Sequence, residues 1–194
     1  MSFPDKNSSP VGILLAAGNS QRFGSNKLLH PVNQYASMLL ASLDNISSVV
    51  DEVFVVVNPE LSNYRSQLER PGVTVLINRK ADQGMATSLV CGVSASEDAA
   101  GWIIALADMP YINPATFKLL LERFVSDRKI ILPEYKEKKG HPVIFSSHFK
   151  TQLLKLNGDT GGREIIQQHQ QCVETVNVED EGVVKDIDFK HEII

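Results

Sequence analysis

Two cations bracketed by glycines, Arg22 and Lys27 in the run Leu14-Leu15-Ala16-Ala17-Gly18-Asn19-Ser20-Gln21-Arg22-Phe23-Gly24-Ser25-Asn26-Lys27, are the first residues in this chain that could do chemistry. The backbone N–H groups of such a loop can wrap a polyphosphate. Gly18 and Gly24 permit close approach, and Arg22 and Lys27 supply neutralising charge. The spacing matches neither GxxxxGK[ST] nor GxGxxG, and an ordinary strand-to-helix turn would also account for the glycines. A second segment, Gln83-Gly84-Met85-Ala86-Thr87-Ser88-Leu89, offers Gly84 for contact with a flat base and Ser88 for a nucleoside hydrogen bond. Thr87 or Ser88 could equally be a plain helix N-cap. Asp108, directly after an apolar run and held by Met109-Pro110, suits a hard cation such as Mg²⁺, or else a turn or cap.

Three later segments add to this set. His141, in Lys139-Gly140-His141-Pro142, could donate to a phosphate or simply occupy a turn. Gly158-Asp159-Thr160-Gly161-Gly162-Arg163 opens a helix with a glycine-rich turn, where Arg163 could hold an anionic second substrate. Asp186 and Asp188 fall on one side of an extended segment by its period of two, so one of them could complete a metal site with Asp108.

The elements that must position these residues are legible in the hydrophobic pattern. Short β-branched runs alternate with helix-spaced segments, the signature of an α/β sheet. Strands are expected at Val11 to Ala17, Val53 to Val57, Val73 to Ile77, Trp102 to Leu106 and Ile130 to Leu132. Helices are expected on the stripes Met38, Leu39, Leu40, Leu43 and Leu61, Tyr64, Arg65, Leu68. Further helices are expected from Thr87 to Ser96, from an Asn113-Pro114 cap to about Ser126, and around Phe149 to Leu156 and Arg163 to His169. The run Glu134 to Lys139 reads as a solvated turn, and Pro142 to Phe145 as a strand that could run antiparallel. Val173 to Val178 and Val183 to Ile187 are expected to close the sheet. In such a sheet ligands collect at the carboxyl ends of the strands, where the loops above lie.

Composition narrows the function classes. At 194 residues a single domain, 1–194, is expected, with residues 1–10 flexible. The 43% hydrophobic and 22% charged content excludes disordered, collagen-like and coiled-coil chains. Lys+Arg of 19 against Asp+Glu of 23 gives a net charge of −4, scattered along the chain, which argues against a nucleic acid partner. Cys91 and Cys172 fit no metal or redox pattern and read as reduced, buried thiols. Without a signal-like N-terminus or a long apolar stretch, a cytoplasmic protein with no membrane contact is expected, and Asn45-Ile46-Ser47 is a chance sequon.

In their order, LLAAGNSQRFGSNK, GMATSL, ALADMP, GHPVIF, GDTGGR and DID resemble the MobA-like nucleotidyltransferases, and within them the molybdenum cofactor cytidylyltransferases. The resemblance covers Leu14 to Asp188. It implies a three-layer Rossmann-like nucleotide-diphospho-sugar transferase fold with a mostly parallel mixed sheet, using Mg²⁺ and a nucleoside triphosphate. It also implies that Gly18, Arg22 and Lys27 hold the triphosphate, with Arg22, Lys27 and Asp108 catalytic. Leu15, Ala16, Ala17, Gly84 and Ser88 would line the base and ribose. Asp108 and Asp188 would bind the metal, with Asp186 the alternative to Asp188, and His141, Asp159 and Arg163 would face the acceptor.

The guanylyl-transferring branch typically reads LAGG where this chain has Leu15-Ala16-Ala17-Gly18, and it lacks GMATSL, so the resemblance favours CTP. The implied reaction is transfer of CMP to the terminal phosphate of a molybdopterin-type cofactor, for a molybdoenzyme of the xanthine dehydrogenase type. A related enzyme using GTP or ATP, or another phosphorylated acceptor, is the neighbouring alternative. The family's usual Thr-Pro-Glu-Asp after the last aspartate is here Phe189-Lys190-His191-Glu192, which leaves a non-catalytic cofactor-binding or insertion factor as the rival from another class.

Overall fold

The computed structural model describes residues 9–18, 26–125, 128–189 and 192. The expected flexible stretch 1–10 falls outside these except for Ser9 and Pro10, and so does the central part of the first glycine loop, Arg22 included. Eight strands form one sheet: β1 (Val11–Ala16), β2 (Val53–Val57), β3 (Val73–Ile77), β4 (Gly101–Leu106), β5 (Ile130–Tyr135), β6 (Lys138–Lys139), β7 (Val143–Ser146) and β8 (Val173–Asn177). Their order is β3-β2-β1-β4-β7-β5-β6, with β8 on the other side of β5. β3, β2, β1 and β4 pair in parallel, as do β5 and β8, while β7 is antiparallel to both β4 and β5.

Two apolar cores flank the sheet, because its inner strands are apolar on both sides, as parallel strands covered by helices must be. Leu14, Val55, Ile103 and Ile131 face α1 (Met38–Ser47) and, after the short α2 (Arg65–Leu68) and α3 (Met85–Ala95), also α4 (Pro114–Glu122). Ile13, Leu15, Trp102 and Ile104 face α3, α5 (Lys150–Leu154) and α6 (Arg163–Gln168). Consecutive residues of β1 thus enter opposite cores by the period of two. The layers are helix, sheet, helix. A third, smaller cluster joins Val32, Met38 and Ala41 to Ile187 near the chain end.

The sheet differs from the sequence reading in three places. Val183 to Ile187 forms no strand; Glu181–Val184 is a short 3₁₀ turn, and Val183 is buried against Gly140, whose added Cβ would lie 2.0 Å from the Val183 carbonyl oxygen. The apolar run is there to pack, not to pair. The charged run Glu134 to Lys139 is a hairpin rather than a free turn, pairing Glu134 with Lys139 around a turn that holds Lys136 and Glu137 at positive φ. Farther along the same edge Ile130 pairs with Phe145, so the ladder slips where Gly140, His141 and Pro142 bulge out of register. Both cysteines are free but half-buried rather than sealed.

Strand order reverses between β1 and β4, since the chain adds β2 and β3 on one side of β1 and then returns to place β4 on the other. Loops leaving such neighbours in opposite directions open a crevice at their carboxyl ends. That crevice holds the site.

Candidate active site

Asp108 stands two residues beyond the end of β4, where the Ala107 amide still bonds the Leu15 carbonyl of β1 at 3.0 Å. Across the crevice Lys27 begins a short 3₁₀ turn capped by Asn26, whose side chain accepts from the Leu28 amide. Lys27 Nζ lies 2.9 Å from Asp108 Oδ2 and 3.0 Å from Asp188 Oδ1, and donates to the Ile187 carbonyl at 2.9 Å. Burial pushes the Lys27 ammonium toward its neutral form, but the charge and hydrogen bonds of Asp108, then of Asp188, outweigh it and hold its pKa above the ordinary lysine value. Lys27 is therefore a fixed cation in neutral solution.

Two cavities open on this crevice. The smaller, about 360 Å³, is lined by Ala17, Gly18, Lys27, Gly84, Ser88 and Asp108 among others. The larger, about 470 Å³, is lined by Lys139, His141, Phe145, Thr160, Arg163 and apolar neighbours. They share Leu15, Met85 and Leu106, so one wall divides two chambers that each suit a small molecule.

The profile of the MobA-like NTP transferase domain matches residues 12–173. The chain belongs to that family. Among relatives of this MobA-like protein, the purine catabolism protein PucB of Bacillus subtilis is 27% identical over 94% of this chain and 93% of its own length. A probable molybdenum cofactor guanylyltransferase of Thermococcus sibiricus is 26% identical over 69% of this chain and 66% of its own. The structure of Rv0371c from Mycobacterium tuberculosis superposes with a TM-score of 0.80 at 26% identity, covering 95% of each chain. Rv0371c has also been solved in complex with manganese, a structure with a TM-score of 0.72 at 25% identity and 88% coverage of each chain.

Within this MobA-like site most of the residues singled out in the sequence converge. Leu15, Ala17, Gly18, Lys27, Gly84, Ser88 and Asp108 border the smaller cavity. Ala16 does not, because its methyl enters the opposite core. Asp188 meets Lys27, whereas Asp186 is exposed. His141 and Arg163 line the larger cavity, but Asp159 lines the smaller one, where Oδ1 accepts the Met85 amide at 3.3 Å. Burial drives the His141 imidazole well toward the neutral form, with the Ile104 backbone, Asp108 and Asp186 opposing more weakly. A neutral ring can donate one hydrogen bond to a phosphate but adds no charge. Its Nδ1 is sealed from solvent without a partner among the described residues.

Helix α3 begins at Met85 with Gly84 as its N-cap, so neither Thr87 nor Ser88 caps it. Gly84 holds φ +112°, and an added Cβ would lie 2.3 Å from the Gly158 carbonyl oxygen, which also accepts the Ala86 amide at 3.0 Å. The requirement for glycine here is loop-on-loop contact.

Sequence reasoning missed Asn78, whose Nδ2 donates to Thr87 Oγ1 at 2.8 Å and to Ser88 Oγ at 2.9 Å. With its acceptor role taken, the Ser88 hydroxyl keeps its proton for another partner. The signal was present: Asn78 directly follows β3, a polar residue that is nonetheless buried. Met85, exposed at 46% on the wall between the chambers, gave no polar cue.

Proposed function

We propose that this chain transfers CMP from CTP to the terminal phosphate of a molybdopterin-type cofactor, releasing pyrophosphate. One observation carries the reading: a carboxylate and ammonium centre borders a chamber suited to the nucleotide, and that chamber shares a wall with a second one suited to the other substrate. Family membership supports nucleotide transfer, and the name of the Thermococcus relative supports a molybdenum cofactor as acceptor. PucB, named for purine catabolism and matching nearly end to end, supports a client molybdoenzyme of the xanthine dehydrogenase type.

The base and ribose occupy the smaller chamber over Leu15, Ala17 and Gly84, with the Ser88 hydroxyl as donor, and the triphosphate runs past Gly18 toward Lys27. Asp108 and Asp188 fit a divalent cation: both place a hard carboxylate oxygen within 3.0 Å of one cationic nitrogen, so they already converge on a single point. Mg²⁺ held there would neutralise phosphate charge and polarise the α-phosphate. The acceptor phosphate is already ionised and needs no strong base. Lys27 and Arg22 take up charge as pyrophosphate departs, Arg163 holds the acceptor's anionic end, and the apolar wall of the larger chamber excludes water that would compete as nucleophile.

GTP is the second reading, favoured by the guanylyltransferase name of the relative. Thermal shifts with CTP, GTP, ATP and UTP, each with Mg²⁺, separate the two, since a nucleotide at a hundred times its dissociation constant stabilises by about 2.7 kcal/mol. A CTP-selective shift, followed by pyrophosphate release when molybdopterin is added, is expected. A GTP-selective shift moves the assignment to guanylyl transfer. Nucleotide binding without release, with acceptor present, supports the non-catalytic rival.

A further inference from the structure

Among the described residues, oxygen atoms from two segments far apart in the chain gather round the Lys27 ammonium. Asp108 belongs to the loop after β4, and Ile187 and Asp188 follow the last 3₁₀ turn. These segments are latched to each other. The Ile187 amide donates to the Asp108 carbonyl at 3.0 Å, and the Ile187 side chain is fully buried beside Val32, Met38 and Ala41. An ammonium directing its donors at two carboxylates and a carbonyl occupies the kind of oxygen-rich point that a small hard cation would also take.

We propose that Lys27 is an internal stand-in for the divalent cation, holding Asp108 and Asp188 together in the nucleotide-free protein and giving them up when metal and nucleotide arrive. The inference rests on the reading of those two aspartates as the metal ligands. A dication brings the carboxylate pair twice the charge of one ammonium, and two cations packed between the same oxygens repel. Exchange is therefore the outcome. Lys27 also borders the smaller chamber, and its flexible four-carbon stem lets the ammonium swing from the carboxylates to a triphosphate. Metal alone must evict Lys27 without offering it a new partner; metal with nucleotide offers it the phosphates. Binding of the two is then cooperative, through competition at one point rather than through any distant change of shape.

The test is Mn²⁺ binding to the whole chain without nucleotide, read by the electron paramagnetic resonance of unbound Mn²⁺, for the wild type, Lys27→Met and Lys27→Arg. Hydrogen exchange at the Ile187 amide is followed in parallel. Loss of the competing charge is expected to tighten Mn²⁺ binding in Lys27→Met by on the order of tenfold or more, while Lys27→Arg stays as weak as the wild type. In Lys27→Met the Ile187 amide loses protection without metal and regains it with Mn²⁺. Equal or weaker Mn²⁺ binding by Lys27→Met, with the wild type binding Mn²⁺ in the presence of CTP, overturns the stand-in role and leaves the metal ligands intact. Failure of the wild type to bind Mn²⁺ even with CTP removes the metal reading and this inference together.

Discussion

The Met85 amide donates to Asp159 Oδ1 across the wall between the two chambers, at 3.3 Å. Gly84, the N-cap of α3, has no side chain to satisfy that helix start, so a carboxylate from a loop more than 70 residues downstream does it instead. The loop that carries Asp159 continues through Thr160 and Gly161 into the wall of the larger chamber. Asp159→Ala should therefore lower stability by about 1 kcal/mol, the usual worth of a cap. Asp159→Asn, which keeps an acceptor oxygen, should recover most of it. Urea unfolding of the three proteins checks this, and equal midpoints would assign the contact no structural weight.

Gly84 adopts φ +112° and ψ 164°, a region open essentially to glycine alone. An added Cβ would also meet the backbone of Gly158, which cannot move aside as a flexible side chain could. Gly84→Ala is expected to cost at least about 1–3 kcal/mol from backbone strain and to disturb both chambers, since it parts the two loops that meet on their shared wall. Differential scanning calorimetry reads the first effect, and the nucleotide-dependent thermal shift the second. A variant as stable as the wild type, with its full nucleotide shift, would show that the contact can relax.

How much of this was legible in the sequence follows from what each residue is doing. The strands β1, β2 and β4 stand out because buried parallel strands leave nearly uninterrupted apolar runs, the edge strand β3 because its residues are β-branched or apolar, and Asn113-Pro114 was readable because a cap is a local device. Val183 misled for the same reason: burial against Gly140 produces the same apolar run as strand pairing. Lys27 and Asp108 were legible by type and place, and Asp188 only as one of a pair with Asp186 that the family resemblance ranked. Their shared contact was not, because it depends on how a crevice brings three distant segments together. Asp159 entered through the family resemblance as an acceptor-facing residue, but the chamber it borders is set by the Gly84 to Gly158 approach, which no local pattern encodes.

Asp108→Ala removes a carboxylate from the centre that borders the smaller chamber while leaving the core around β4 untouched. Asp108 is partly exposed and on a loop, so its loss creates no buried void. Turnover is expected to fall by about 100-fold or more, in line with deletion of a principal charge-stabilising group, with a far-UV spectrum like that of the wild type. Pyrophosphate release under saturating Mg²⁺ measures it. Near-normal rates in that variant would end the assignment of Asp108 to the metal.

His141 gives the protein a predictable response to acid. Burial holds its folded-state pKa below the ordinary value, against weaker opposing pulls from the Ile104 backbone, Asp108 and Asp186. At pH ~7.5 and above, a unit or more over the ordinary histidine pKa, the ring is neutral in both the folded and the unfolded chain and contributes almost no slope. As pH falls below that, the unfolded chain binds a proton that the folded chain refuses until its own lower pKa is reached. Stability therefore drops through this window by up to about 1.4 kcal/mol per pH unit, the limit for one proton. His141→Phe removes the titrating ring, so subtracting its unfolding free energy from that of the wild type at a series of pH values isolates the effect. The difference should be constant above pH ~7.5 and move steadily against the wild type below it. A difference that is flat throughout, or that moves the other way, would mean that His141 accepts its proton in the folded protein as readily as in the unfolded one.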